Sequence, residues 1–381
     1  MRFLHLSDLH LGKRLGEASL MEDQRHILAQ ILQVARLEQP DAVLVAGDVY
    51  DKPIPPAEAV GLLDEFLTRL VALGKPVVLI SGNHDSAERL AFGARLFAAR
   101  GLYLSPALDR EHAITQPVRL NDELGPVNVW PLPFVKPAHV RAALPGAPAE
   151  SYTQALRAVV AAMPLDPSER NVLVCHQFLT GGQRCESEEI SVGGLDNVDA
   201  EVFAAFDYVA LGHLHRAQPV GREAVRYCGS PLKYSFSEAG DEKSVTLVEL
   251  GAKGEVSARA VPLAPLRDLR RLRGLYAELT LRATYQGTAV DDYLHITLLD
   301  EDDVPDALSK LQVIYPNLIR LEYDNARTRR GQEQAGEAAP ERRTPLALLS
   351  VFYEQQNGRP MTGDQLAYAR DCMETIWEGP R

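Results

Sequence analysis

Five short apolar runs in this chain each end on residues able to hold a metal ion. Phe3-Leu4-His5-Leu6 leads into Ser7-Asp8-Leu9-His10, Val43-Leu44-Val45-Ala46 into Gly47-Asp48, and Val77-Val78-Leu79-Ile80 into Gly82-Asn83-His84-Asp85. Val172-Leu173-Val174 leads to His176, and Tyr208-Val209-Ala210-Leu211 to His213-Leu214-His215. Short β-rich apolar runs read as buried strands. In sheets covered on both faces, ligands collect just beyond the carboxyl ends of the strands. The pattern therefore predicts that Asp8, His10, Asp48, Asn83, His176, His213 and His215 converge on one edge.

Two Asp, one Asn and four His without a thiolate form a hard-to-borderline donor set, which suits Mn²⁺, Fe²⁺ or Zn²⁺ better than a structural zinc knot. A pair of cations about 3.5–4 Å apart, sharing a carboxylate, would clamp a phosphate and activate a water, which is phosphoester hydrolysis. A lone Asp-x-His is a weak signal. The strength lies in the conjunction: five donor groups in order, each after an apolar run. Gly47, Gly82 and Gly212 are expected to let the backbone turn sharply off a strand end.

At 381 residues the chain is too long for one ordinary core, so two domains with appendages are expected. No apolar run is long enough to span a bilayer, and Arg2 to Lys13 lacks a signal-peptide pattern, so a soluble cytoplasmic protein is expected. Cys175, Cys185, Cys228 and Cys372 form no C-x-x-C pair and read as free thiols. The formal net charge of -12 does not exclude a nucleic-acid partner, because bound cations offset the site carboxylates and only the local patch matters.

Glu22 to Glu38 and Ala57 to Leu73 carry apolar residues at helical spacing between the first three strands, giving a βαβαβ order. Gly101 to Pro137 reads as short strands and turns, and Ser151 to Met163 as a helix. Val225–Cys228 and Ser244–Leu250 are expected to complete a second sheet. The result is a layered α/β/β/α sandwich over residues 1–262. A composition shift at Arg267, Arg270, Arg271 and Arg273 opens a smaller α+β capping domain over 263–324, with strands at Tyr293–Leu298 and Asn317–Tyr323 around a helix. Residues 325–343 are polar without apolar period and read as a flexible linker. In 344–381, Thr344 caps one short helix and Thr362 or Gly363 opens another. Two amphipathic helices on a tether bury their own faces poorly, so this tail is expected to bind a partner.

These motifs, in this order and spacing, resemble the calcineurin-like metallophosphoesterase superfamily. Within it, His5 to Gly12, Gly47 to Asp51, Ser191-Val192-Gly193-Gly194, Tyr208 to Arg216 and Gly229 to Phe236 look like the SbcD family, the nuclease subunits of bacterial SbcCD complexes. The resemblance implies that Asp8, His10 and His215 hold one metal, Asp48 bridges, and Asn83, His176 and His213 complete the other. It implies that His84 touches the scissile phosphate or protonates the leaving 3′ oxygen, with Asp51 hydrogen-bonding His84. The alternative for Asp51 is an ordinary turn residue before Pro53. Asp85 reads as a helix cap or an orienting group.

The implied activity is that of a Mn²⁺-dependent DNA nuclease. It would be a 3′–5′ exonuclease on duplex ends and an endonuclease on single strands and hairpins, acting in DNA end processing and double-strand-break repair in the nucleoid. The implied partners are DNA, a coiled-coil ATPase of the SbcC kind docked on the tail helices, and a second copy bound through the nuclease domain. Lys13, Arg14, Arg267, Arg270 and Arg271 are candidate backbone contacts. The metals alone leave open a phosphomonoesterase or small-nucleotide phosphodiesterase, because specificity lives in the loops around such a site. A scaffold without activity ranks last, since no donor is missing.

Overall fold

The computed structural model describes residues 1–188, 196–326, 328, 329 and 344–378, with backbone alone for 355 and 374–378. Ser191 to Gly194 and almost all of segment 325–343 lie outside the described residues.

The chain opens with strand β1 (Arg2–Leu6), helix α1 (Met21–Glu38), strand β2 (Ala42–Ala46), helix α2 (Ala57–Val71), and strands β3 (Val77–Ile80) and β4 (Leu102–Leu104). Strands β1 to β4 pair in parallel in that order. Helix α1 turns Ile27, Leu28, Ile31, Leu32 and Ala35 to the sheet and stops at Gln39 in the left-handed region, just before Pro40. Helix α2 starts after Pro56 and buries Ala59, Leu62, Leu63, Phe66 and Leu70. Each such large side chain contributes about 1.5–3 kcal/mol relative to exposure, so both crossovers are fixed on one face of the sheet.

A second sheet is built from β5 (Val118–Asp122), β6 (Gly125–Leu132), β7 (Arg170–His176), β8 (Tyr208–Gly212), β9 (Gln218–Val220) and β10 (Arg222–Tyr227). Its order is β9-β10-β8-β7-β6-β5, with helix α3 (Tyr152–Ala162) on its outer face. The two sheets meet through Phe3, Leu44, Ala46, Val78, Ile80, Val129, Val172, Val174, Tyr208 and Ala210. Among them His5, fully buried, bridges the layers by donating to the Leu211 carbonyl (3.1 Å) and accepting from the Tyr208 hydroxyl (2.9 Å).

The segment Ser244–Leu250, expected to complete the second sheet, lies in the first instead. Strand β11 (Ser244–Leu250) joins the first sheet, antiparallel to β1 from Arg2↔Glu249 to His5↔Thr246, and β12 (Val256–Pro262) extends that edge. A strand buried on both faces carries no alternation that tells which sheet receives it.

Three parallel strands, β13 (Leu269–Gly274), β14 (Tyr293–Leu298) and β15 (Leu318–Tyr323), form a smaller unit with helix α4 (Ala307–Gln312). Leu294, Ile296, Leu298, Leu311 and Tyr315 make its own core. Helices α5 (Pro345–Asn357) and α6 (Gly363–Glu378) follow, the first capped by Thr344, whose hydroxyl accepts from the Ala347 N–H at 3.2 Å. No helix among the described residues is long and apolar enough to cross a membrane.

Candidate metal centre

Strands β1, β2 and β3 of the first sheet and β7 and β8 of the second all end at the same edge, and their loops are laced together. The Asp8 N–H donates to the Gly47 carbonyl (3.0 Å) and the His10 N–H to the Asp48 carbonyl (2.9 Å). Asp48 Oδ1 accepts the His84 N–H (2.9 Å), and Asp8 Oδ1 accepts the His213 N–H across the two sheets (3.0 Å). Asp8, His10, Asp48 and His213 have φ of 54°, 42°, 48° and 107°. Only two other described non-glycine residues, Gln39 and Asp306, share that region. Such backbone costs about 1–3 kcal/mol per residue, and it persists because the crossing hydrogen bonds over-determine it. Gly47 does turn the chain at φ 84°, as expected. Gly82 and Gly212 serve closeness instead: a Cβ would lie 2.1 Å from Asp48 Oδ1 at the first and 1.9 Å from the Ala46 carbonyl oxygen at the second.

The seven donors close on one another. His176 Nε2 lies 3.0 Å from Asn83 Oδ1 and 3.4 Å from Asp48 Oδ2, and His213 Nδ1 lies 2.9 Å from Asn83 Oδ1. On the other side His10 Nε2 faces His215 Nε2 at 3.1 Å and Asp48 Oδ2 at 3.6 Å, with Asp8 in the same cluster. Asp48 thus stands between the two groups. His176 Nδ1 donates to the Ala46 carbonyl (2.8 Å), which turns Nε2 toward two oxygens and, in the neutral ring, leaves a lone pair there. His215 Nδ1 donates to Ser187 Oγ (2.8 Å), because that hydroxyl spends its own hydrogen on Glu238. Its Nε2 is therefore also a lone pair. With the imidazoles neutral and these nitrogens deprotonated, divalent cations would fill the space the lone pairs share. The residues present fit a pair of cations.

The electrostatics agree. Burial pushes the Asp8 carboxyl above its usual range. Burial opposes ionisation of Asp48 too, but the His176 and His84 imidazoles outweigh it and hold that carboxyl well below the ordinary value. Burial also lowers His10 and His213 strongly, so both favour the neutral, metal-binding form. His176 goes the other way, to about 9, because Asp48 overcomes its burial. In the cation-free chain a proton on His176 does what a cation would do.

Residues 1–217 match the calcineurin-like phosphoesterase model, more than half of the chain. The chain belongs to the calcineurin-like phosphoesterases. Residues 265–357 match the type 5 capsule protein repressor C-terminal domain. The D subunit of the nuclease SbcCD from Staphylococcus epidermidis is 35% identical over 325 residues, covering 84% of this chain and 85% of that protein. Its counterpart in Staphylococcus saprophyticus is 34% identical and covers 84% of both. At that identity and coverage, the phosphoesterase also belongs to the SbcD family. A solved dimetal phosphatase from Danio rerio superposes with a TM-score of 0.45 at 14% identity, covering 70% of this chain and 98% of that one.

Other expected site residues of this phosphoesterase stand as follows. His84 sits on the rim, its Nε2 4.0 Å from Asp48 Oδ2 and its ring edge-on to His10 at 4.8 Å. Asp51 does reach His84, but with its backbone carbonyl, which accepts from Nδ1 at 3.0 Å. The Asp51 carboxylate instead pairs with Lys13 at 2.7 Å and lies 3.7 Å from His10 Nδ1. Asp85 is an orienting group: its carboxylate accepts the N–H groups of Val49, Tyr50 and Gly82 at 3.0, 2.8 and 2.9 Å, while Ser86 caps the following helical turn. Of the basic residues, Lys13 is taken by Asp51, Arg267 by Asp23 and Glu22 (both 2.7 Å), and Arg270 by Asp292 (2.5 Å). Arg14, whose guanidinium meets the Glu17 carbonyl, and Arg271 are exposed.

Sequence reading missed Ser187, Glu188, Glu238 and Lys243. Glu188 Oε1 accepts the His215 N–H at 2.7 Å, and the other three form a chain behind the same imidazole. No spacing connects them to His215. The one signal in the sequence was the charged run Ser237 to Lys243 just after the Gly229–Phe236 motif.

Proposed function

We propose that this chain is a Mn²⁺-dependent deoxyribonuclease that hydrolyses phosphodiester bonds in DNA end processing and double-strand-break repair. The observation that carries the reading is a complete seven-donor cluster with a partly exposed imidazole, His84, on its open rim. Bound cations would supply charge neutralisation for the phosphate and an activated water. The chain's own groups do the rest. Asp48, fixed by the His84 N–H, separates the two donor sets. The carbonyl of Asp51 holds the His84 Nδ1–H, so Nε2 faces the site and, in the imidazolium form, can deliver its proton to the leaving 3′ oxygen and end as the neutral Nδ1–H ring.

DNA as substrate is supported by the likeness to two proteins named as nuclease subunits, and the finer activities are carried with it: 3′–5′ exonuclease on duplex ends, endonuclease on hairpins and single strands. A second subunit is supported by the name those two proteins share, SbcCD. Its docking face in this reading is the tail, where Leu348, Phe352 and Tyr368 stand 50%, 58% and 73% exposed. A homodimer through the catalytic body belongs to the reading as well, and Phe92 and Leu96, 82% and 77% exposed, supply an apolar patch for it. Arg14 and Arg271, both exposed, are its basic candidates for the DNA backbone.

The test is cleavage of an end-labelled DNA hairpin by the full chain with Mn²⁺, beside an aryl phosphate, each repeated with His84→Ala. Mn²⁺-dependent hairpin cleavage that falls about 10²–10⁴-fold in His84→Ala supports the reading. Turnover of the aryl phosphate with the hairpin left intact, even after addition of an SbcC-type ATPase and ATP, would replace it with a phosphomonoesterase.

A further inference from the structure

We propose that Ser187 and Glu238 are positioning residues that set the affinity of the cation position formed by Asp8, His10 and His215, making it the tighter of the two. The inference rests on the dimetal reading and goes beyond it by ranking the two positions.

The four histidine donors are backed very differently. His176 leans on one backbone carbonyl, of Ala46. Among the described residues, His10 Nδ1 and His213 Nε2 have no hydrogen-bond partner. His215 alone among them donates into a side-chain chain: Nδ1 to Ser187 Oγ at 2.8 Å, and Ser187 Oγ to Glu238 Oε1 at 2.7 Å. That carboxylate is fully buried, and Lys243 secures it at 2.6 Å. The Lys243 ammonium spends its other hydrogens on the His215 carbonyl (2.8 Å) and Ser230 Oγ (3.0 Å). One buried ion pair thus grips His215 by ring and backbone together. Glu238 Oε1 also accepts from the Tyr234 N–H (3.2 Å) and Ser235 Oγ (3.0 Å), so the carboxylate cannot swing away. Tyr234 in turn packs edge-on to both His10 (5.3 Å) and His215 (5.5 Å), and its hydroxyl donates to the Leu9 carbonyl at 2.6 Å.

Segment 229–243 is therefore a bracket around one half of the site, which gives the Gly229–Phe236 motif a physical purpose. A carboxylate acting through a hydrogen bond on the far nitrogen of an imidazole fixes the tautomer and makes the near nitrogen a stronger donor, and loss of such a partner typically costs about 10–100-fold in metal affinity. Among the described residues, no carboxylate backs the position built on Asn83, His176 and His213 in this way.

The experiment is calorimetric titration of the full chain with Mn²⁺, which reads binding without turnover. Wild type should take up two ions in separable steps. Ser187→Ala should weaken the tighter step about 10–100-fold and leave the other unchanged, and Ser187→Thr, which keeps the hydroxyl, should restore it. In a His215→Ala background, Ser187→Ala should have no further effect. Equal weakening of both steps, no weakening of either, or a full extra loss in the His215→Ala background would overturn the proposal. Uptake of fewer than two ions by wild type would tell against the dimetal reading itself.

Discussion

His176 ties the chemistry of the centre to pH. Without cations it holds a proton up to about pH 9, because Asp48 faces its Nε2 and its Nδ1–H is already committed to Ala46. A cation and that proton compete for one lone pair. Loading the site near neutral pH should therefore release at least about one proton, and affinity should rise with pH until about 9, by up to tenfold per unit. Calorimetry in two buffers of different ionisation enthalpy measures the released proton directly, and a buffer-independent heat would show that His176 is already neutral. Asp48→Asn removes the charge that holds the proton and should abolish the release together with most of the binding.

At the scale of elements, the edge works because loops can approach each other without side chains in between. Gly212→Ala would press a methyl group against the Ala46 carbonyl and, at 2.7 Å, against His176 Nδ1. It should cost more than about 2 kcal/mol in urea unfolding and impair metal uptake. Gly61→Ala is the counter-case, in the interior of α2 with open space around its Cβ direction, and should stabilise by about 0.5–1 kcal/mol with uptake unchanged. Strand ends carrying Asp8, Asp48, Asn83, His176 and His213 were legible because apolar runs and donors are adjacent in sequence. The reasons for Gly82 and Gly212 were not, since close approach between distant loops leaves no local mark. The same blindness hid the destination of β11 and the use of the Asp51 carbonyl instead of its carboxylate. It also hid the carboxylates that occupy Lys13, Arg267 and Arg270.

For the whole molecule, two polar contacts hold large pieces together. Asp23, buried in α1, accepts from Arg267 at 3.0 and 2.7 Å and from the Tyr293 hydroxyl at 2.8 Å, which fastens the three-stranded unit to the sandwich. Asp23→Asn should loosen that unit, seen as faster hydrogen exchange in 293–323, with a loss of about 1.5–3 kcal/mol. His5 plays the corresponding part between the two sheets. Burial holds its pKa near 3, so the folded chain refuses a proton that the unfolded chain accepts below about 6.5. Its contribution to stability is complete above that value and drains away as pH falls toward 3. Urea unfolding of the chelator-treated chain at several pH values should show this acid slope, and His5→Gln should flatten it.

The pairing of β11 with β1 has a consequence for biosynthesis. The first strand leaves the ribosome about 240 residues ahead of the neighbour that covers its edge. At about 5–20 residues per second, the nascent chain carries an uncovered, largely apolar strand edge for roughly 12–50 s. Holdase chaperones should therefore engage this polypeptide early and let go only after Leu250 has emerged.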